Sequence, residues 1–280
     1  MLKNSLAQKI FFEIKKSKKY KNLSNDVILN EINSFLKSNP NLFNSEKLKK
    51  KKLEKSIKTV KSKLHRIYSS YILGNKNKRE KFLNQLKKNY DLKIINKILK
   101  TSVSTKERLM YYEKLYSEIF KITGKPKIIV DIGCGLNPIS YPYIGIKDLF
   151  CYAYDIEKND VNFVNKFFKI SENFGIRGKA AILNINDLKN ISKIPMSDVV
   201  FMFKLVDLLN KKNKNLESII KNLIRKTKFL IVSFPTKTLS GKPMNFPRRK
   251  GFEFMLEKNK LKFQILKLKN EIFYIIKGYQ

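Results

Sequence analysis

The first hundred residues carry apolar side chains at helical spacing. One stripe of apolar residues covers 27–36 and follows a candidate N-cap at Ser24. Another stripe begins at Phe82. The longest stripe steps by three and four residues through Leu53, Ile57, Val60, Leu64, Ile67 and Tyr71. Most of the lysines lie between the stripes, so the pattern predicts a small helical bundle with a basic surface.

After about residue 100, short apolar runs alternate with helical patterns such as 160–171 and 215–225. We predict strands at 127–132, 150–154, 180–184, 199–203, 229–233, 263–268 and 272–276. This alternation is typical of a mainly parallel sheet with helices on both faces. The last two strands are joined by a connection too short for a parallel crossover, so they must pair antiparallel.

These elements predict an α/β fold with two domains. Five parallel strands that end in an antiparallel hairpin form the seven-stranded sheet of class I Rossmann-like methyltransferases. The resemblance to this class implies a methyltransferase domain over 104–280 that uses S-adenosylmethionine, preceded by a basic helical domain over 1–103 that is suited to RNA docking.

The charge of the chain narrows the class of partner. The net charge is +37, and residues 1–100 alone hold 27 basic and 7 acidic side chains. Self-repulsion on this scale favours a polyanionic partner, with nucleic acid first. A proteome that is rich in lysine is the alternative source of the charge.

Cysteine and histidine are too scarce for several kinds of site. Two cysteines and one histidine exclude a disulfide framework, a four-thiolate zinc site and a histidine-rich metal site, so no metal is expected. No apolar run approaches the ~20 residues that span a bilayer, and the first residues do not resemble a signal peptide. The expectation is a soluble, cytoplasmic monomer without a membrane partner.

The most informative motif is Val-Asp-Ile-Gly-Cys-Gly-Leu-Asn-Pro at 130–138. It follows a predicted strand and opens a predicted helix, and Gly133 and Gly135 let the backbone approach a ligand closely. Asp131 is placed to receive the amino group of a cofactor, directly or through water. The next strand ends in Asp155 and Ile156, where an acid can hold ribose hydroxyls. The alternative is a tight turn that binds no ligand.

Polar residues also follow the third and fourth predicted strands. Asn186 and Asp187 lie where an adenine amine could be recognised, and the alternative is an ordinary polar turn. Lys204 and Leu205 end the fourth strand, where the transferable methyl group should lie. Lys204 is a candidate contact with the target, and the alternative is a solvated charge at the rim.

The segment Ser104-Thr105-Lys106-Glu107 matches a capping box, with Ser104 as N-cap and Glu107 at the third helical position. The predicted helix continues to about residue 119, with Arg108 in its first turn. A cation beside a helix N-terminus makes an anion site for the carboxylate of a cofactor. The alternative is an ordinary capped helix with a surface arginine.

Together these segments resemble the ribosomal RNA guanine-N7 methyltransferases that confer aminoglycoside resistance at the decoding site of the small subunit. The matching segments, in the same order and at similar spacing from near residue 5 to near residue 278, are 17–21, 64–65, 104–109, 131–138, 203–205 and 233–237. The resemblance implies S-adenosylmethionine as cofactor, ribosomal RNA of the small subunit as partner and guanine N7 as target.

The resemblance also implies roles for individual residues. Carried over by position, the cofactor contacts are the segment 104–108, Gly133, Asp155, Asn186, Asp187 and Leu205. Asn186 replaces the glutamine of some relatives. The segment 243–249, Pro-Met-Asn-Phe-Pro-Arg-Arg, departs more, since relatives tend to have Gly-Met and then an aromatic residue. Candidate RNA contacts are Lys18, Lys19, Lys21, His65, Arg66, Lys237 and Lys242, and a packing role is the alternative for His65.

Chemistry separates the possible activities. Guanine N7 has a lone pair outside Watson–Crick pairing, so it needs in-line placement and a flipped-out base but no general base. Cytosine-C5 methylation needs a cysteine nucleophile, and Cys134 and Cys151 are expected to be packing residues. Ribose 2′-hydroxyl methylation needs a cluster of residues that removes the hydroxyl proton. Lys106, Lys204 and Glu271 could form such a cluster, so this activity is an alternative. A catalytically silent RNA-binding or ribosome-assembly factor is a further alternative, and the basic N-terminal region disfavours a small-molecule methyltransferase.

Overall fold

The computed structural model describes residues 5–40, 50–68, 77–209, 215–238 and 241–279. Within these ranges the helices are α1 (Ser5–Lys15), α2 (Asn25–Lys37), α3 (Lys50–Tyr68), α4 (Asn77–Lys88), α5 (Leu92–Leu99), α6 (Val103–Arg108), α7 (Tyr112–Thr123), α8 (Lys158–Ser171), α9 (Asn215–Leu223) and α10 (Lys250–Lys258). The strands are β1 (Ile128–Ile132), β2 (Leu149–Asp155), β3 (Ile176–Ile182), β4 (Ser197–Phe203), β5 (Thr227–Pro235), β6 (Phe263–Leu268) and β7 (Glu271–Lys277).

The chain divides into two compact units. The first comprises Met1–Ser70 with Ile156–Asn159, and the second comprises Tyr71–Asp155 with Asp160–Gln280. The first unit ends near residue 70, apart from the short segment Ile156–Asn159. The predicted boundary between the RNA-docking and methyltransferase domains at residue 103 stays a prediction.

Helices α1, α2 and α3 form the core of the first unit. Apolar residues at three- and four-residue steps are fully buried, among them Ile10, Ile14, Ile28, Val60 and Leu64. The predicted helical N-terminal region is confirmed. The sequence prediction omitted α1, although Leu6, Ile10 and Ile14 recur at helical spacing. Tyr71, the last residue of the predicted stripe, lies outside the described residues.

The second unit is built on a seven-stranded sheet with the order β3-β2-β1-β4-β5-β7-β6. Strands β1 to β5 pair in parallel, and β7 pairs antiparallel with both β5 and β6. This confirms the predicted fold class. Successive strand residues point to opposite faces, so Ile129 packs with α4, α5, α7 and α8 while Val130 packs with α9 and α10.

The order of the strands creates a crevice. From β1 the chain proceeds to β2 and β3 on one side of the sheet and then to β4 and β5 on the other. In open α/β sheets, ligands bind outside the carboxyl ends of the strands at such a reversal. The residues at the carboxyl ends of β1, β2 and β4 therefore border the crevice in which a ligand is expected.

Two sequence predictions in this unit were wrong in detail. The third strand spans Ile176–Ile182 rather than 180–184, because an edge strand exposes most of its side chains and lacks an apolar run. The segment after the glycine motif, Asn137–Ile144, is a 3₁₀ helix and not an α-helix. Pro142 lies inside it and lacks the N–H group that an α-helical hydrogen bond needs.

Close packing between β2, β3 and α8 gives a stability prediction. A Cβ atom on Gly178 would lie 2.6 Å from the Cys151 carbonyl oxygen and 2.8 Å from the Phe168 ring. We expect Gly178→Ala to lower the free energy of unfolding by about 1–3 kcal/mol, measured by denaturant titration. The matched control is Gly251→Ala on the exposed side of α10, where the added methyl group meets no atom within 4 Å. Equal stability of the two variants would contradict the packing described.

Candidate active site

The loop after β1 is tied to the end of β2 by backbone hydrogen bonds. Gly133 and Cys134 donate from their N–H groups to the Tyr154 carbonyl oxygen at 2.8 and 3.0 Å. The Gly135 N–H donates to Asp155 Oδ2 at 2.8 Å. Both glycines have positive φ, +67° and +49°, where a side chain would be strained. These hydrogen bonds hold the loop beside Asp155, and no side chain projects from the loop at Gly133 or Gly135.

The two glycines differ in what surrounds them. A Cβ atom on Gly133 would lie 2.7 Å from Leu205 Cδ1, so the loop contacts the residue after β4 directly. A Cβ atom on Gly135 would meet no described atom within 4 Å. The loop therefore packs on Leu205 at one glycine and leaves open space at the other.

Asp131 lies at the carboxyl end of β1 and is buried. Its Oδ2 accepts hydrogen bonds from Asn137 Nδ2 and from the Tyr141 hydroxyl, both at 2.8 Å. Burial raises the pKa of Asp131 to about 6, against the lowering effect of these two donors and of Arg108. Among the described residues, no side chain donates to its other oxygen, Oδ1.

A buried ion pair lies behind this loop. Arg108 on α6 donates from Nε and Nη2 to the two carboxylate oxygens of Glu271 at 2.9 Å, and both side chains are at most 2% exposed. Burial would raise the pKa of Glu271, but the charges of Arg108 and Lys204 and hydrogen bonds from Arg108 and Ser233 hold it below its usual range. Arg108 also donates to Asn137 Oδ1 at 3.4 Å, which links the pair to Asp131.

Lys204 immediately follows β4 and is 3% exposed, so the alternative of a solvated rim charge is wrong. Its ammonium group forms ion pairs with Glu107 and, at 3.6 Å, with Glu271. Its backbone has φ +54°, which is strained for a residue other than glycine. Hydrogen bonds from its N–H to the Ser233 carbonyl oxygen at 3.1 Å and Oγ at 2.9 Å hold this conformation.

The predicted capping box at Ser104 is wrong. Helix α6 begins at Val103, its N-cap is Ser102, and the cap makes no side-chain hydrogen bond. Glu107 pairs with Lys204 instead of returning to the helix start, because a buried ammonium group is a stronger partner than a backbone N–H. The helix ends at Arg108, and α7 starts only at Tyr112, so the predicted continuous helix is also wrong.

The structure gives the other predicted residues of this region local partners. The Thr105 hydroxyl donates to the Leu99 carbonyl oxygen at 2.5 Å, while Ser104 is half-buried with its Oγ 3.5 Å from that of Ser102. Arg108 is expected to form an anion site, with a surface arginine as the alternative. Its side chain is buried and binds Glu271, so the surface alternative is wrong. A direct contact of Arg108 with a cofactor carboxylate stays a prediction.

The residues after β2 and β3 occupy different surroundings. Ile156 belongs to the first unit, where it packs against the cluster of α1 to α3. Asn186 is half-buried, and its N–H donates to Asn184 Oδ1 at 3.1 Å. Asp187 is exposed and accepts from the Lys189 N–H at 3.1 Å as the cap of a 3₁₀ turn. These contacts match the polar-turn alternative and leave a role in adenine recognition as a prediction.

The candidate RNA contacts divide between the two units. In the first unit Lys18, Lys19 and Lys21 are exposed, and the exposed His65 lies with Nδ1 2.6 Å from Lys19 Nζ. The side chain of Arg66 lies outside the described residues. In the second unit Lys242 is exposed and Lys237 is half-buried, in a short hairpin that pairs Lys237 with Pro243.

The divergent segment 243–249 is ordered by Arg249. Its guanidinium donates to the carbonyl oxygens of Pro235 and Pro247 at 3.2 and 3.3 Å and lies 5.2 Å from the Phe234 ring. The segment presents Phe246 to solvent, 83% exposed. The segment therefore has internal structure although its sequence differs from the expected pattern.

Several side chains that build this site were missed at the sequence level. The sequence analysis does not predict polar partners for Asp131 or Glu271, which the structure shows to include Asn137, Tyr141 and Ser233. Nor does it predict Tyr112 as a donor to Asn137. Asn137 and Tyr141 lie only 6 and 10 residues from Asp131, but no sequence motif pairs them with it. The partners of Tyr112 and Ser233 are 25 and 38 residues away.

Comparison with known proteins identifies the family. The model of the family described as ribosomal RNA methyltransferase (FmrO) matches residues 48–275. The chain belongs to the ribosomal RNA methyltransferase (FmrO) family. It is 30% identical, over 81% of this chain and 84% of the relative, to a protein of Proteus mirabilis named 16S rRNA (guanine(1405)-N(7))-methyltransferase. A protein of the same name from Micromonospora echinospora is 26% identical over 79% of this chain and 82% of the relative.

A solved structure supports the fold over almost the whole chain. The 16S rRNA methyltransferase RmtF, crystallised with S-adenosyl-L-homocysteine, superposes with a TM-score of 0.78. The comparison covers 98% of this chain and 99% of RmtF at 20% sequence identity. The resemblance to RNA methyltransferases and the expected enzyme class are confirmed by the family.

The remaining sequence expectations concern metals, thiols and membranes. Among the described residues, no group of three or more potential ligands could hold a metal ion. Cys134 and Cys151 are free and buried, and burial raises the pKa of both thiols, which is consistent with packing roles. In the described parts of the chain, none of the helices combines the length and the apolar character of a membrane span.

The buried ion pair gives a stability prediction. We expect Glu271→Gln to lower the free energy of unfolding by about 3–5 kcal/mol, because it leaves the Arg108 charge buried without an anionic partner. The matched control is Glu217→Gln on α9, which removes an exposed pair with Lys221 and should change stability little. Denaturant titrations measure both, and a loss for Glu271→Gln as small as that of the control would refute the role of the pair.

Proposed function

We propose that this chain transfers a methyl group to N7 of a guanine in the ribosomal RNA of the assembled small subunit, at the decoding site. The observation that carries the proposal is the likeness over most of the chain to an enzyme whose name specifies N7 of guanine 1405 in 16S rRNA. The N-terminal helical unit with its exposed lysines supports a large polyanionic substrate rather than a small molecule.

The residues at the ends of β1 and β2 fit S-adenosylmethionine. The carboxylate of Asp131 suits the ammonium group of the methionine part, and that of Asp155 suits ribose hydroxyls. The open space at Gly135 admits a ligand against the backbone, and Leu205 borders the same loop. When bound, S-adenosylmethionine supplies a methyl group on a sulfonium sulfur. In this proposal Asn186 and Asp187 border the adenine.

Methylation of guanine N7 requires placement rather than proton transfer. N7 attacks with a lone pair that carries no proton, so the bond from N7 to carbon forms while the carbon–sulfur bond breaks. The positive charge passes from the sulfur to the guanine, and no proton moves. A flipped-out base held in line with the methyl group therefore suffices.

The carboxylates near the end of β4 agree with this requirement. Glu271 is bound by Arg108, Ser233 and Lys204, and Glu107 is bound by Lys204. Although burial would raise the pKa of Glu271, the charges of Arg108 and Lys204 lower it, so this carboxylate resists taking up a proton. We assign Lys204 to the target side, where its fixed ammonium group limits how the nucleotide enters.

Docking on the ribosome would use the basic residues of both units. In this proposal Lys18, Lys19, Lys21, His65 and Arg66 contact phosphates from the first unit, and Lys237 and Lys242 do so from the second. Phosphate contacts supply affinity and orientation, while the shape of the RNA supplies selectivity. The protein acts in the cytoplasm as a monomer without a metal, and a methyl group on N7 would remove an acceptor from the site at which aminoglycosides bind.

One observation favours a second candidate activity. Lys204 and Glu271 lie 3.6 Å apart at the predicted methyl position, and a lysine–carboxylate pair is the kind of cluster that deprotonates a ribose 2′-hydroxyl. Lys106, the third member expected for that activity, is exposed, and Glu107 takes its place beside Lys204.

Labelling and cleavage distinguish these activities. Purified protein is incubated with methyl-labelled S-adenosylmethionine and intact small subunits, and the label is mapped by borohydride–aniline cleavage, which is specific for N7-methylguanine. We expect cleavage at one guanine of the decoding site. Label without cleavage would move the activity to another atom, with the ribose first, and the absence of label would indicate a silent binding factor.

Substrate subunits that were methylated beforehand by the Proteus mirabilis relative provide the matched control. They should accept no label if both enzymes modify the same atom. Continued labelling of these subunits would show that the present chain has another target.

Removal of Asp155, the acid at the end of β2, should weaken cofactor binding. We expect Asp155→Ala to bind S-adenosylhomocysteine about tenfold more weakly or worse, because it loses a charged acceptor for ribose hydroxyls and for the Gly135 N–H. Isothermal titration calorimetry measures the affinity. Asp26→Ala, which removes an exposed acid of α2, is the charge-matched control. Unchanged affinity of Asp155→Ala would remove this residue from the site.

The raised pKa of Asp131 predicts a pH dependence of cofactor binding. If only the ionised carboxylate receives the ammonium group, protonation below about pH 6 competes with binding. The affinity for S-adenosylhomocysteine should then be about tenfold lower at pH 5 than at pH 7. Asp131→Asn should bind weakly and with a flat profile over this range. A flat profile for the wild type would contradict this role of Asp131.

A further inference from the structure

Two neutral donors meet on one oxygen of Asp131. Tyr141 is 1% exposed, and its hydroxyl donates to Oδ2 at 2.8 Å, the same distance as Asn137 Nδ2. Because both donors engage Oδ2, they fix the plane of the carboxylate and leave Oδ1 to receive a ligand.

The orientation of the Asn137 amide is determined by its other neighbours. Its Oδ1 lies 3.4 Å from Arg108 Nη1 and 3.2 Å from the Tyr112 hydroxyl, both of which donate to it. The amide oxygen must therefore face Arg108 and Tyr112, and the amide nitrogen must face Asp131. Arg108 thus acts on Asp131 through Asn137 as well as through its own charge.

Few charges surround Asp131. The titratable groups that face it are Arg108 on α6, Tyr116 on α7, Cys134 in the glycine loop, Tyr141 in the 3₁₀ segment and Cys151 on β2. Burial raises the pKa of both tyrosines and both cysteines, so these four groups stay neutral. The remaining charge, on Arg108, is matched by Glu271. A carboxylate in this environment depends on hydrogen-bond donors to remain ionised.

We propose that Tyr141 and Asn137 are positioning residues that hold Asp131 as a carboxylate and turn its Oδ1 toward the ammonium group of the cofactor. The inference rests on the proposed cofactor site and adds residues that do not themselves touch the cofactor. Tyr141 is the residue to test, because its hydroxyl can be removed while its ring is kept, whereas Asn137 also accepts a hydrogen bond from Arg108.

The test is Tyr141→Phe, which removes the hydroxyl and keeps the ring. Affinity for S-adenosylhomocysteine is measured by calorimetry between pH 5 and pH 7.5. We expect the midpoint of the pH profile to rise by about one unit. Relative to the wild type, binding is then about fivefold weaker at pH 6 and recovers to within about twofold at pH 7.5. A purely structural role predicts the same loss at every pH, and that result would overturn the proposal, as would an unchanged profile.

Tyr116→Phe is the matched control. Tyr116 is equally buried, but its hydroxyl pairs with Ser140 Oγ at 2.6 Å and not with Asp131, so its profile should keep the wild-type midpoint. In an Asp131→Asn background, Tyr141→Phe should cause no shift, because the titrating group is gone. A shift in either case would overturn the assignment.

A second measurement separates this inference from the proposed function. Carboxyl-carbon NMR follows the titration of Asp131 in the ligand-free protein and requires no cofactor. We expect Tyr141→Phe to raise the pKa of Asp131, and Tyr116→Phe to leave it unchanged. If the pKa of Asp131 rises in Tyr141→Phe but the protein does not bind S-adenosylhomocysteine, the cofactor site alone is refuted. If the pKa of Asp131 is unshifted in Tyr141→Phe, the positioning role of Tyr141 is refuted.

Discussion

Arg108 and Glu271, which are 163 residues apart in the chain, form a bidentate ion pair that is almost fully removed from water. Burying two charges is costly unless their geometry is good and their remaining polar atoms have partners. Here Ser233 donates a further hydrogen bond to Glu271, and Lys204 forms a second ion pair with it. The remaining polar group of Arg108 donates to Asn137. The pair joins α6 to β7 and, through Asn137, reaches the acid at the end of β1. The loop after β1 and the residue after β4 are therefore held by one connected set of hydrogen bonds.

This arrangement suits a reaction that depends on placement. The carboxylates beside Lys204 are engaged by cations, and the buried cysteines are kept as neutral thiols. Asp131 retains an oxygen directed away from its donors, and the loop at Gly135 leaves space for a ligand. Methylation of guanine N7 requires no proton acceptor, so a site whose charged groups are already paired can still catalyse it. The strained backbone at Lys204, with φ +54°, is consistent with fixed geometry at the end of β4.

The sequence predicted the sheet well because buried parallel strands form apolar runs. Strands β1, β2 and β4 to β7 were recognised in this way, while β3 at the edge was displaced because most of its side chains face solvent. The motif at 130–138 located the glycine loop, Asp131 and, through the next strand, Asp155. The local match at Ser104 misled, since Glu107 binds Lys204 from β4 rather than its own helix start. The pairing of Arg108 with Glu271 could not be predicted, because the two residues are 163 positions apart and meet only when distant segments pack together. Asn137 and Tyr141 lie close to Asp131 in the chain, but the direction of their side chains depends on the 3₁₀ segment that follows the glycine loop.

The most direct test of the account is the pH dependence of methyl transfer itself. Single-turnover rates are measured on small ribosomal subunits with saturating S-adenosylmethionine between pH 7 and pH 9, so that cofactor binding does not limit the rate. A site that places guanine N7 without removing a proton predicts a rate constant that stays level across this range. A rate constant that rises about tenfold for each pH unit would show that a group must lose a proton before transfer, and would contradict the account.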